Sequence, residues 1–121
     1  MKELREKLSH VGSSFRALRI LRREDLSFGL QIWIACGVII FSLLLRLSTI
    51  EASVVMLAIG AVLAIEALNS AIEELCDHVT PSHHPHIGKI KDLASGASLI
   101  ICTAAGVVGF LIFIPHILAL L

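Results

Sequence analysis

Apolar and polar positions divide the chain into four stretches. In the first, Leu4, Leu8, Val11, Phe15, Leu18 and Leu21 recur at spacings of three and four, with basic residues between them. That spacing places them on one face of a helix. An apolar stripe opposed by cations predicts an amphipathic surface helix over residues 1–25, seated at a lipid boundary. Leu26 to Leu45 then carries no charged residue. Leu93 to Leu121 carries none either, apart from the titratable His116. A bilayer core takes about 20 apolar residues, so each stretch is long enough to cross it. Between them, "ASVVMLAIGAVLAIEA" is a third apolar run. It reaches spanning length only if its helix continues through the acidic residues that follow. The predicted membrane helices cover about 26–46, 50–76 and 92–120.

The connections fit this reading. "RLSTIEA" is a compact turn, so the first two spans are antiparallel neighbours. Ser48 or Thr49 caps the second span, with Glu51 in its first turn. In "HVTPSHHPHIGKIKD", Pro81 and Pro85 forbid one continuous helix. The third span opens on "ASGAS" and later carries Gly106 and Gly109. Small residues let membrane helices approach closely, within a chain or between chains. No internal repeat or linker divides residues 1–121, which read as one domain.

Composition sharpens the class. Hydrophobic residues make up 56% of 121 and charged residues 17%, and the mean hydropathy is +0.88. A soluble domain is nearer half apolar and carries more charge. The expected fold is all-α and integral to the membrane. No signal peptide is expected, because the first apolar run follows a long charged segment and lacks a small-residue cleavage site. Lys2, Arg5, Lys7, Arg16, Arg19, Arg22 and Arg23 all precede the first span, and Lys89 and Lys91 precede the third. The positive-inside rule puts the N-terminus and the 77–91 loop in the cytoplasm, in a multi-pass protein of the inner (cytoplasmic) membrane. Cys36, Cys76 and Cys102 read as unpaired, buried, small hydrophobes. Trp33 and Phe41 read as packing or lipid-facing. No nucleic-acid partner is expected.

The candidate chemistry lies in "AIEALNSAIEELCD". On a helix, Glu66, Asn69, Glu73 and Asp77 share one face. Ser70 lies beside this stripe, and Glu74 is offset toward another face. Ionisable groups at membrane depth are expensive and usually functional. Glu66 is the deepest, loses the solvation of its charged form, and is suited to act as a general base. Carboxylates one turn apart near the interface suit a hard cation such as Mg²⁺, with phosphates completing its shell. Asp25, Glu73, Asp77, Lys91 and Asp92 converge on the cytoplasmic boundary. Such an arrangement meets the needs of phosphoryl transfer from a soluble donor to a lipid hydroxyl. A polar stripe also serves a non-catalytic oligomeric membrane protein or a small ion pathway. Cys76, His78, His83, His84 and His86 do not follow zinc-ligand spacing; contact of His83 or His84 with a nucleotide is the better reading. No Walker sequence is present.

"EALNSAIEELCD", followed after a gap by "IKDLASGASLI", resembles the small prokaryotic diacylglycerol kinase family over nearly the whole chain from "GSSFRALR" onward. The resemblance implies a lipid kinase that uses ATP and Mg²⁺. It implies a homotrimer with sites shared between subunits. By position, Glu66 matches the catalytic base and Asn69 its polar companion. Glu73 matches a metal-binding glutamate, and Asp25 stands where the family has a second one. Asp77, Lys91 and Asp92 match the nucleotide site, as does the loop Ser82, His83 and His84. The junction "DLSFGLQ" departs from the family at Asp25, Gly29 and Gln31, and Ile90 replaces the usual Ala before the Lys-Asp pair. "LNSAIE" is typical of the diacylglycerol-phosphorylating branch, whereas "VTPSHHP" and "KDLASGA" look more like the undecaprenol branch. Diacylglycerol is the expected acceptor.

Overall fold

The computed structural model describes residues 1–80 and 82–121. The expectation that Pro81 helps break the helix lies outside the described residues. Four helices follow in order: α1 (Lys2–Glu24), α2 (Leu26–Leu44), α3 (Thr49–Val79) and α4 (Pro85–Leu120). The last three are long and apolar enough to cross a membrane.

A single residue separates α1 from α2. Asp25 adopts an extended backbone and ends α1, and its Oδ1 accepts the Phe28 N–H at 3.2 Å, capping α2. A carboxylate there satisfies one of the orphan donors of the new helix. The corner is tight at Gly29, where a Cβ would sit 3.3 Å from the carbonyl oxygen of Arg22. At the other end of α2 the chain turns through Arg46, whose φ of 53° is in the left-handed region. Ser48 and Glu51 then form a capping box. The Ser48 hydroxyl accepts from Glu51 N–H at 3.2 Å, and the Glu51 carboxylate accepts from Ser48 N–H at 2.9 Å.

α3 and α4 are longer than a bilayer requires. At 31 and 36 residues they extend about 46 and 54 Å, against an apolar core of about 30 Å. α3 continues past 76 to Val79, and α4 begins at Pro85 rather than near 92. Proline at the first helical position loses no hydrogen bond and has the φ a helix needs, so "PHIGKIKD" joins the helix instead of the loop. His84 caps it, with Nδ1 accepting from His86 N–H at 3.2 Å. Pro115 lies inside α4 without ending it, as membrane helices allow.

α3 is the central element. It packs most extensively on α4, less on α2, and least on α1. α2 also meets α4 where the rings of Phe41 and Phe113 lie 5.4 Å apart. The buried set is small: Phe28, Ala35, Val55 and Cys76, with the polar Glu66 and Ser98. Trp33, Leu57, Leu99 and Phe110 are exposed, which suits helices that are apolar all round. Cys76 is buried as expected. Cys36 and Cys102 are exposed instead, Cys102 along the open apolar cleft between α2, α3 and α4. Two glycines of α4 are not needed for close approach within the chain: a Cβ at Gly96 or Gly106 would meet nothing within 4 Å. At the end away from α1, His116 Nε2 lies 3.0 and 3.2 Å from the two carboxylate oxygens of Glu51, joining α4 to the start of α3.

Candidate active site

The polar residues of α3 are gathered where α1, α2 and α4 all meet it. At 100° per residue, positions 66, 70, 73 and 77 fall within a narrow sector of the helix, and 69 and 74 flank it on either side. Each neighbouring element takes part of this face.

α4 takes Glu66 and Asp77. Glu66 is 8% exposed and Ser98 is 7% exposed, and the Ser98 hydroxyl donates to Glu66 Oε1 at 2.5 Å. Nearer the C-terminal end of α3, Lys91 Nζ lies 2.5 Å from Asp77 Oδ1. That second pair is largely open, Asp77 more so than Lys91. The two contacts are consistent with one antiparallel register. Glu66 and Asp77 are separated by about 16 Å along α3, and Ser98 and Lys91 by about 10 Å along α4. The lysine side chain leans toward the N-terminus of its helix and covers the remainder.

The α1–α2 corner takes Ser70. Its hydroxyl donates to Oδ2 of Asp25, the residue whose other oxygen caps α2. Asp25 is thus fixed from two directions, and each oxygen keeps a further lone pair. Beside this contact lies a cleft between α1 and α3, lined by Glu24, Asp25, Glu73, Glu74 and Asp77 together with Leu18 and Ser70. Five carboxylates line it and no Lys or Arg does. Glu74, which the spacing places off the stripe, shares this cleft with Glu73. α1 forms the facing wall of that cleft, and both glutamates stay exposed.

Asn69 lies between the two levels. Its side-chain oxygen is buried without a hydrogen-bond partner, and so is that of Gln31 on α2. Gln31 sits at the rim of an apolar cleft of about 390 Å³ bounded by α2, α3 and α4, with Leu63, Val62 and Gly106 among its walls. A buried unpaired amide oxygen is costly and is ready to accept a donor.

Asp92 and His83 do not join the acidic cleft within one chain. They line a separate hollow on α4 with Pro85, Lys89 and Gly96. Ser82 and His84 are exposed in the connection that precedes α4. Among the described residues, no three His, Cys, Asp or Glu side chains are grouped closely enough to enclose a metal ion. The carboxylates of the α1–α3 cleft fit a cation that takes one or two protein ligands and finds the rest elsewhere. Mg²⁺ in phosphoryl-transfer sites does this, with water and phosphate oxygens.

Sequence spacing did not single out Ser98, Gln31 or Glu24. The signal for Ser98 is a hydroxyl in an apolar stretch opposite an acid on the neighbouring helix, which becomes visible only once the register of α3 and α4 is known.

The sequence matches the profile of the prokaryotic diacylglycerol kinase family over residues 12–113. It is similar to an undecaprenol kinase of Bacillus subtilis, 34% identical over 120 residues, covering 96% of this chain and 98% of that protein. A diacylglycerol kinase of Haemophilus influenzae is 28% identical over 102 residues, covering 83% of this chain and 86% of the kinase. A diacylglycerol kinase of Synechocystis is 32% identical over 96 residues; the match covers 78% of this chain and 55% of that longer protein.

Proposed function

The chain belongs to the prokaryotic diacylglycerol kinase family and is a multi-pass membrane lipid kinase, and on that premise we propose how its residues transfer the γ-phosphoryl group of ATP to a lipid hydroxyl. Glu66 is the general base. It accepts the proton of the acceptor hydroxyl as the oxygen attacks phosphorus and the bond to ADP breaks. Its burial beside α4 keeps competing water away from the attacking group. The unpartnered amide oxygen of Asn69 takes a hydrogen bond from the same hydroxyl and orients it.

The nucleotide is handled on the cytoplasmic side. Asp25 and Glu73 are the metal ligands, in a cleft whose five carboxylates call for cations. Mg²⁺ there supplies neutralisation of the phosphate charge during transfer. Lys91 and Asp77, held together at 2.5 Å, meet the polyphosphate and the nucleotide respectively. Ser82, His83, His84 and Asp92 border the nucleotide from the connection and the first turns of α4, whose positive end favours phosphate.

Asp92 and His83 line a hollow that shares no residue with the acidic cleft. A site shared between subunits would bring these two halves together, which supports a homotrimer. The exposed apolar faces of all three spans support the same assembly. We place residues 1–25 on the membrane surface, with the N-terminus and the connection before α4 on the cytoplasmic side of the inner membrane. The charge distribution along the chain supports that orientation.

The observation that carries the function is the depth order. A buried carboxylate beside an unpartnered amide lies one level above an open, carboxylate-lined cleft with a lysine at its edge. Diacylglycerol is the acceptor in the primary reading, because "LNSAIE", which begins two residues after the base, matches the branch that phosphorylates it. Undecaprenol is the second reading, favoured by the full-length similarity to the Bacillus subtilis kinase and by "VTPSHHP". The test is a labelled-ATP assay on the purified protein offering diacylglycerol, undecaprenol and ceramide side by side. Preferential labelling of diacylglycerol supports the primary reading, and preferential labelling of undecaprenol replaces it with the second. Absence of label in every lipid, with the protein folded and Mg²⁺ present, overturns the kinase assignment.

A further inference from the structure

A hydroxyl inside a helix ordinarily has a partner at hand, the carbonyl four residues back. Ser13, Ser14, Ser42, Ser53 and Thr103 all use it, donating to the carbonyls of Ser9, His10, Val38, Thr49 and Leu99. Ser98 does not. It donates across the α3–α4 interface to Glu66, at 2.5 Å, from a position only 7% exposed. The local alternative is close and undemanding, so the choice of the distant acid reflects how α4 presents the side chain. Leu99 and Ile100 beside it face outward.

We propose that Ser98 is the positioning residue for Glu66. The inference rests on the reading of Glu66 as the general base. A carboxylate on a glutamate side chain has three rotatable bonds and a broad terminal torsion. A hydrogen bond to Oε1 from a rigid neighbouring helix fixes the plane of the group, and with it the directions of the lone pairs on Oε2. That pre-orients the base toward an acceptor hydroxyl arriving from the bilayer, which is how proximity and alignment lower a barrier. Ser98 itself touches neither the acceptor nor the nucleotide. Its contribution appears in the rate of the chemical step and not in lipid or ATP binding.

The experiment compares Ser98→Ala, Ser98→Thr, Glu66→Gln and the double variant Ser98→Ala/Glu66→Gln, each purified and assayed with Mg-ATP and the preferred lipid. Ser98→Ala is expected to lower kcat about tenfold, with KM for both substrates within about twofold, since the lost interaction orients the base alone. Ser98→Thr, which keeps the hydroxyl, is expected to recover to within about threefold of the parent. The double variant is expected to be no slower than Glu66→Gln, because groups acting as one unit do not add. Three results overturn the positioning role: Ser98→Ala with unchanged kcat, Ser98→Thr as slow as Ser98→Ala, or a double variant slower than Glu66→Gln by the full Ser98→Ala factor. Full activity of Glu66→Gln overturns the base assignment and the positioning role together. An inactive Glu66→Gln beside an unaffected Ser98→Ala overturns the positioning role alone.

Discussion

Asp25 carries two duties that a pair of substitutions separates. One oxygen caps α2 through Phe28 N–H at 3.2 Å, and the other receives the Ser70 hydroxyl. In the proposed mechanism the same carboxylate is also a metal ligand. Removing an N-cap costs about 1 kcal/mol, and a hydrogen bond to a charged group contributes about 1.5–3 kcal/mol. Asp25→Ala is therefore expected to destabilise the protein by about 2.5–4 kcal/mol, less if Ser70 turns back to its own helix. Asparagine caps as well as aspartate, and its amide still pairs with Ser70, which reverses from donor to acceptor. Asp25→Asn should stay within about 1 kcal/mol of the parent in stability. It nonetheless removes the negative charge. The Mg²⁺ concentration for half-maximal activity should then rise about tenfold, the equivalent of 1.4 kcal/mol. The assay pairs thermal unfolding in detergent with a Mg²⁺ titration of kinase activity on the same preparation. Equal destabilisation by Asn and Ala refutes the capping argument. An unchanged Mg²⁺ dependence in Asp25→Asn refutes the metal role.

Two further outcomes follow from the same corner of the fold. A Cβ at Gly29 would approach the Arg22 carbonyl to 3.3 Å, so Gly29→Ala should shift α1 slightly and lower activity by no more than about threefold, with a stability change within about 1 kcal/mol; unfolding at room temperature would show that the corner is tighter than this. Glu73→Gln should lower activity at least about tenfold, since it removes the charge of the second proposed metal ligand. Glu74 lines the same cleft, so Glu74→Gln should raise the Mg²⁺ requirement a few-fold; no change in that titration would place Glu74 outside the cation's reach.

Much of this architecture is written in local chemistry. The Ser48–Glu51 capping box, the break at Asp25 and the charge-free runs of α2 and α4 depend on near neighbours, so spacing and residue type foretell them. The polar stripe of α3 is equally local, being one helix face. What spacing does not reveal depends on partners far along the chain. Glu74 shares a cleft with Glu73 only because the end of α1 forms its facing wall. Ser98 meets Glu66 only because α3 and α4 pair in one register. Cys36 and Cys102 lie open because apolar residues in a membrane helix face lipid or protein alike, and the sequence pattern does not distinguish the two. The early start of α4 at Pro85 shows the ambiguity of proline, which ends one helix and begins another with the same ring.

The central claim is that Glu66 removes the proton from the lipid hydroxyl. The most direct measurement is the single-turnover rate of phosphoryl transfer to lipid, in protein reconstituted with Mg-ATP, for the parent and for Glu66→Gln. The amide has nearly the shape of the acid but does not take the proton. A rate lower by about 10²–10⁴-fold, with nucleotide binding retained, is the predicted result. A Glu66→Gln variant that transfers phosphate at the parental rate contradicts the account.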